Sequence, residues 1–386
     1  MFIWLIYLFL PMLLSYGLYP LILSIFAKST KKISVNVAKT PSTLKNIYIL
    51  MALHNEEKVI ATKLESIIGN TYPLTNIFLV MGLDACTDHS ETIIEGYRNK
   101  LPNLRVIHFN ERSGKPAIIN ELFQYVATDA LVFLTDANVF IDKNALTFLS
   151  QKFDDESVML ADALFRSPEQ HAKKDAIFEL QYNSFEQQLK HWESVLGGML
   201  MGPSGGGYMI RATAFTPVPH NFLVDDFFIG LNCFRNGGKC ILVNEAICYE
   251  TVNGNIGKEF NRKRRISAGN FQNLFYFMQH QRLLSLKQWT CFFFHKILRW
   301  VNPLWICFHL LAYLFLTEAS RKTAIFIIIL IIANTILNMV LSKLHLHWKP
   351  VKSAYYFIAM NIGLLWGFFD YLKGIKSNVW QPTPRN

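Results

Sequence analysis

Four long stretches without a single Lys, Arg, Asp or Glu, at 1–27, 300–317, 323–342 and 353–369, constrain this chain more than any other feature. A helix needs about 20 residues to cross a bilayer, with about 17 as a lower limit, so 323–342 is the clearest candidate span and 353–369 the marginal one. The first stretch could instead be a cleaved signal peptide. Against that, it has no basic start, runs long, and reaches Lys28 without a small-x-small cleavage site. The expected arrangement is one span at 1–28 and about three within 298–372. A composition that is 51% hydrophobic, with 31 Phe, agrees with contact to lipid.

Between the apolar stretches lies ordinary soluble composition, long enough for one domain with a real core. Lys28, Lys31 and Lys32 follow the first stretch directly, and the positive-inside rule puts that end, and the soluble domain with it, in the cytoplasm. The net charge of +10 suits juxtamembrane Lys and Arg beside anionic lipid, and no nucleic-acid-binding motif is visible. The six cysteines form no C-x-x-C pair and no zinc spacing, as expected of reduced thiols. His345 and His347 lack a third ligand and read as loop residues.

In the soluble part, short apolar runs alternate with helical periodicity. Strands are expected at 47–53, 76–81, 105–109 and 130–135, and helices at 56–68, 90–99 and 115–127. That alternation predicts an α/β fold built on a mostly parallel sheet, whose ligands collect beyond the carboxyl ends of the strands. Asp84 and Asp136 fall there. No G-x-G-x-x-G follows the first strand, and Gly114-Lys115 lacks the upstream Gly and the Ser/Thr of a P-loop. Gly205-Gly206-Gly207 reads either as a flexible turn or as the wall of a ligand cleft.

What remains is a set of loop carboxylates: Asp84 and Asp88, Asp136 two residues before Asn138, and the pair Asp225-Asp226. Singly, each reads as a helix cap or a solvated residue. Taken together, their order matters: a metal-nucleotide complex needs hard oxygen ligands for the cation, and a reaction at a sugar carbon needs a separate carboxylate to take the acceptor's proton.

In order and spacing, five stretches resemble the family 2 glycosyltransferases of the GT-A fold: Ala52-Leu-His-Asn-Glu-Glu57, Leu83-Asp-Ala-Cys-Thr-Asp88, Gly114-Lys115 with Asn120, Thr135-Asp-Ala-Asn138, and Asp225-Asp226 with Gly238. The flanking apolar stretches are similar to the membrane-integrated branch, which includes cellulose, poly-N-acetylglucosamine and hyaluronan synthases and ceramide glucosyltransferases. The resemblance implies a cytosolic GT-A domain at 45–258, interfacial amphipathic helices at 259–295 and a tail at 373–386. It implies substrate contacts at Asp84, for the nucleoside, and at Glu56, Asp88, Lys115 and Arg262. It further implies Asp136 and Asn138 at a Mg²⁺ or Mn²⁺ ion, and Asp226 as catalytic base, assisted by Asp225 and Arg265.

Two departures stand out. Asn138 replaces the second acid of a D-x-D arrangement, and Arg262-Lys-Arg-Arg265-Ile266 stands where processive synthases carry Q-x-x-R-W. Arg265 is kept, while the Gln and Trp become Arg262 and Ile266, and ceramide-type enzymes tolerate Arg at the first position. The same basic run also reads as a membrane anchor, because Phe271, Leu274, Phe275 and Met278 follow at helical spacing. The tail Trp380-Gln-Pro-Thr-Pro-Arg385 resembles a short element that some synthases fold near the donor, with a disordered terminus as the alternative.

The function expected is inverting transfer of a sugar from a nucleotide donor, a UDP-sugar first, to a glycan or lipid at the cytoplasmic membrane face. Rival readings are a catalytically decayed scaffold or export subunit, against which the retained carboxylates speak, and a transporter, whose spans would carry buried charged pairs. About four spans are few for a polymer channel from one chain, so a processive enzyme would need self-association or a small membrane partner.

Overall fold

The computed structural model describes residues 2–29, 44–167, 177–250, 256–280, 284–344, 346 and 348–378. Lys31, Lys32, His345, His347 and the Trp380 element lie outside these residues. The first half follows the sequence pattern closely. Strands β1 (Ile47–Leu53), β2 (Ile77–Asp84), β3 (Leu104–Phe109) and β4 (Leu131–Thr135) pair in parallel, β2 and β3 on one side of β1 and β4 on the other. Their near-continuous apolar runs fit strands buried on both faces. Because strand order reverses at β1, a crevice opens between the carboxyl ends of β1 and β4.

The second half departs from a parallel sheet. It adds β5 (Phe140–Ile141), β6 (Val158–Arg166), β7 (Gly207–Arg211) and β8 (Lys239–Tyr249), giving eight strands in the order β3-β2-β1-β4-β7-β6-β8-β5. Here β7 runs antiparallel to both β4 and β6, and β5 antiparallel to β8. Side chains alternate across the sheet: Ile47, Ile49, Met51 and Leu53 enter one core, while Leu50 enters the other with Val132, Leu134, Phe228 and Phe277.

Some boundaries move for local reasons. The helix expected from Glu56 begins at Ile60, because the Glu56 and Glu57 backbone N–H groups donate to Ser90 Oγ (2.9 Å) and Asp88 Oδ2 (3.0 Å). Asp84 is the last residue of β2 and not part of the loop after it, and Asp225-Asp226 open the helix Asp225–Asn232 where a loop was expected.

The helix Ile256–Gln279 corrects the expectation of an interfacial helix with its apolar side in lipid. Phe271 and Leu274 are buried in the protein's second core, and only Phe275 and Met278 of that face stay exposed. The helix Lys349–Leu372 lies along it, with Phe275 stacked on Tyr371 at 5.3 Å. A side chain at Gly367 would overlap the Arg264 carbonyl, so glycine is what permits this approach.

Among the described residues, two helices are long and apolar enough to cross a membrane, Leu10–Ser29 and Glu318–Lys343. The stretch 300–317 forms a shorter helix, Leu298–Tyr313, with Pro303 inside it, and 353–369 lies within Lys349–Leu372. The N-terminal helix is tied to the domain by a buried polar cluster. Tyr19 Oη donates to Glu193 Oε1 at 2.8 Å, and the fully buried His295 ring sits between Glu193 (2.8 Å) and Glu186 (2.9 Å).

Candidate active site

Lys115 opens the helix Lys115–Leu122 at the edge of the crevice, and its Nζ donates to Asp136 Oδ1 at 2.7 Å and to the Gly205 carbonyl at 3.3 Å. Asp225 Oδ2 lies 3.8 Å from the same nitrogen. Asp225 and Asp226 occupy the first turn of their helix, where the backbone dipole favours negative charge. The glycine triplet settles as a wall between the acids. A Cβ at Gly205 would stand 2.5 Å from Asp226 Oδ2, and one at Gly206 would stand 3.2 Å from Asp136 Oδ2 and 2.7 Å from Val139.

Charges in the crevice shape one another. Burial pushes Lys115 toward neutrality, but Asp136, Asp225 and Asp226 outweigh it and hold the ammonium charged. Burial, reinforced by the Asp225 carboxylate, pushes Asp226 up to about 6, with Lys115 opposing. Asp225 Oδ2 and the Tyr208 hydroxyl are both buried without a hydrogen-bond partner among the described residues. Arg265 donates from Nη1 to the Leu223 carbonyl at 3.0 Å, and its charge interacts with Asp225, Asp226 and Asp136. The loop just before Asp225 is fixed by Gln272, which accepts from Leu223 N at 3.0 Å and donates to the Asn221 carbonyl at 2.8 Å.

Other expected residues stand outside this cluster. Asp84 is fully buried, and its carboxylate receives Arg112 Nε at 3.0 Å and Ser113 N at 2.6 Å. Asp88 ties its loop to the one after β1, accepting from the Glu57 and Ser90 backbones at 3.0 Å each; burial opposes its charge, but hydrogen bonds hold it below the usual carboxylate range. Glu56 touches the same loop through its backbone. Arg262 is turned away, pairing with Glu179 (3.2 Å) and Glu259 (3.4 Å), and Arg264 forms a two-pronged pair with Asp370. Neither supports the expectation that these two arginines hold a membrane surface, because both are taken up by carboxylates of this chain. Asn120 locks the loop at Val218, donating to its carbonyl at 2.8 Å and accepting from its N–H at 2.9 Å. Asn378, shortly before the tail element, lies against Gly114 and donates to the His220 carbonyl.

Several working residues escaped the sequence reading. Arg112 and Ser113 were hidden in an unpatterned loop. Lys63 shares an i, i+3, i+4, i+7 face with Ile60, Leu64 and Ile67, a spacing that marks it as buried. Asp162, inside the apolar β6, is buried and bound by Lys190 Nζ at 3.2 Å and Ser204 N at 2.9 Å, beside Gly205.

For a divalent cation the donor chemistry fits. Asp136 is 40% exposed at its side chain, only Oδ1 is engaged by Lys115, and Asn138 donates through Nδ2 to Glu250 at 3.3 Å, leaving its amide oxygen as the coordinating atom. No group of three or more His, Cys, Asp or Glu side chains is arranged to hold a metal ion among the described residues, so the ion's remaining ligands would come from a diphosphate and water.

A mixed sheet with acids at the β4 end and a carboxylate pair opposite them is the GT-A arrangement. The same fold is found in the mannosyltransferase PcManGT from Pyrobaculum calidifontis, solved with GDP-Man and Mn2+, at a TM-score of 0.66 and 16% identity over 95% of this chain and 97% of that one. Residues 48–204 match the family model "Glycosyl transferase family 2", and residues 169–342 match "Glycosyl transferase family group 2". Two overlapping segments of the chain thus match family 2 glycosyltransferase models. Over 98 residues it is 32% identical to the poly(ribitol-phosphate) beta-N-acetylglucosaminyltransferase TarS of Staphylococcus aureus (strain Mu50 / ATCC 700699). That match covers 25% of this chain and 17% of the relative.

Proposed function

We propose that this protein is a glycosyltransferase that moves a sugar from a UDP-sugar, with inversion at the anomeric carbon, to a glycan or lipid acceptor at the cytoplasmic face of a membrane. The observation that carries the proposal is the convergence of Asp136, Lys115, Asp225 and Asp226 on the Gly205-Gly206 wall.

Inversion needs one displacement, with a base on the acceptor's side and charge stabilisation on the leaving group's side. Asp226, pushed up to about 6, is matched to taking a hydroxyl proton near neutral pH. Lys115 stays charged and would face the leaving diphosphate, with Arg265 adding positive charge from the loop side. Asp136 and Asn138 would hold Mg²⁺ or Mn²⁺, which when bound neutralises charge on the diphosphate. Asp84 would act behind the nucleoside by fixing Arg112 and Ser113.

The membrane reading rests on the two long apolar helices and on Lys28 in the last turn of the first. Residues 374–378 return to Gly114 and His220, which supports a tail on the catalytic side. The apolar face of Glu318–Lys343, with Phe326, Ile329, Leu330 and Ile332 exposed, is suited to lipid, to a second copy or to a small membrane partner. Purified protein incubated with a panel of UDP-sugars and GDP-mannose, followed by mass analysis of the products, tests the function. Absence of both product and nucleotide release with every donor would sink it.

A further inference from the structure

Lys63 is a fully buried lysine on the apolar face of the helix Ile60–Ile68. Taking an ammonium out of water is expensive unless it is well satisfied, and no carboxylate lies within 4.0 Å of this one among the described residues. What satisfies it is specific. The ammonium donates to Thr135 Oγ1 at 2.7 Å and to the Val139 carbonyl. Thr135 and Val139 are the two residues that bracket the turn carrying Asp136 and Asn138. The Thr135 hydroxyl passes the contact on, donating to the Gly206 carbonyl at 2.7 Å. One buried side chain therefore fastens both ends of the acidic turn and, through Thr135, the glycine wall opposite it.

A merely space-filling core residue would not need this. Methionine would fill the same channel with no desolvation cost, and the neighbours Ile60, Leu64 and Ile67 show that the site accepts apolar groups. The polar tip has value only if the Thr135–Val139 backbone must be held in one shape. That shape matters because Asp136 has one oxygen on Lys115 and the other close to the Gly206 wall, and a turn of the carboxylate would lose one of the two.

We propose that Lys63 is a positioning residue for transfer: it acts through Thr135 and Val139 to hold the Asp136–Asn138 turn in the geometry that receives the cation and diphosphate. This rests on the metal-binding reading of Asp136 given above. The support is of the kind that partners behind metal ligands supply, where removal costs about 10- to 100-fold in metal affinity or activity.

The test uses full-length protein, with UDP and Mn²⁺ as probes. Free Mn²⁺ is followed by electron paramagnetic resonance in the presence of saturating UDP, alongside donor KM, kcat and the unfolding temperature. Lys63→Met should weaken Mn²⁺ binding about tenfold or more and lower kcat, with a smaller change in donor KM. Thr135→Val, which keeps the lysine, should lose Mn²⁺ affinity in the same way, and Thr135→Ser, which keeps the hydroxyl, should recover most of it. If Lys63→Met lowers only the unfolding temperature and leaves Mn²⁺ affinity within about twofold, Lys63 is a core residue and the inference is overturned. If Lys63→Met does not fold, equal Mn²⁺ affinity in the two Thr135 variants overturns it instead. A wild-type protein that binds no Mn²⁺ with UDP present defeats the metal reading of Asp136, a different result from tight binding that ignores Lys63.

Discussion

Replacing Asp225 with Asn should move the acid limb of the pH–rate profile to lower pH. Asp226 is pushed from the ordinary 3.8 up to about 6, a rise of about two units, or about 3 kcal/mol at about 1.4 kcal/mol per unit. Burial is the largest cause and the Asp225 charge comes second, with Lys115 opposing both. Removing Asp225 therefore lowers the Asp226 pKa by less than burial raises it, and the limb should move to lower pH. The same change releases Lys115 from its 3.8 Å partner and leaves more of its field for Asp226, which acts in the same direction. The assay is kcat/KM against pH, with metal held saturating. A limb that stays put, or moves upward, would show that it does not report the Asp226 proton.

Asp226 also makes a stability prediction whose sign follows from the same shift. A carboxyl raised on folding contributes stability that is complete below about pH 4 and lost as pH rises through about 6. Above pH 6 the ionised group costs at most about 3 kcal/mol, less where water reaches it. Asp226→Asn should therefore raise the unfolding temperature at pH 7 more than at pH 4, while transfer falls by about 10²-fold or more. A variant less stable at pH 7 than wild type would contradict the assigned burial.

Excess EDTA should stop transfer, and Asp136→Ala should abolish the response to added Mg²⁺ or Mn²⁺; full activity in EDTA refutes the cation. Arg265→Ala should reduce turnover about 10²-fold by removing positive charge from the site, whereas Arg262→Ala, which breaks pairs with Glu179 and Glu259, should change stability more than rate. Equal rate losses in the two variants would count against this separation. His295→Ala leaves Glu186 and Glu193 without the ring between them, and unfolding experiments should show a loss of about 3–5 kcal/mol. A loss under about 1 kcal/mol would mean that water replaces the ring.

The parallel half of the sheet was legible because its strands are short apolar runs bounded by turn residues, and β1 matches its expected limits of 47 and 53. The antiparallel insertion of β7 was not, since Gly207–Arg211 carries no periodicity that distinguishes direction. Motif order brought Asp136, Lys115, Asp225 and Asp226 into view, because loops after strands converge at one edge. It could not show that Arg262 faces Glu179 while Arg265 reaches Leu223, since one turn of helix separates them and only packing against Lys349–Leu372 decides which side faces inward. Likewise Phe271 and Leu274 form an apolar stripe whether lipid or protein covers it, and periodicity is the same in both cases.

The helix Ile256–Gln279 touches two regions that would otherwise be mechanically independent. Near its middle, Gln272 and Asn273 grip the backbone at Leu223 and Val224, immediately before Asp225. Two turns earlier, Arg264 is clamped to Asp370 of Lys349–Leu372, a helix that packs in turn against the apolar helices Leu298–Tyr313 and Glu318–Lys343. The apolar bundle and the Asp225-Asp226 helix are thus joined through one helix, whereas Asp136 follows a strand of the sheet.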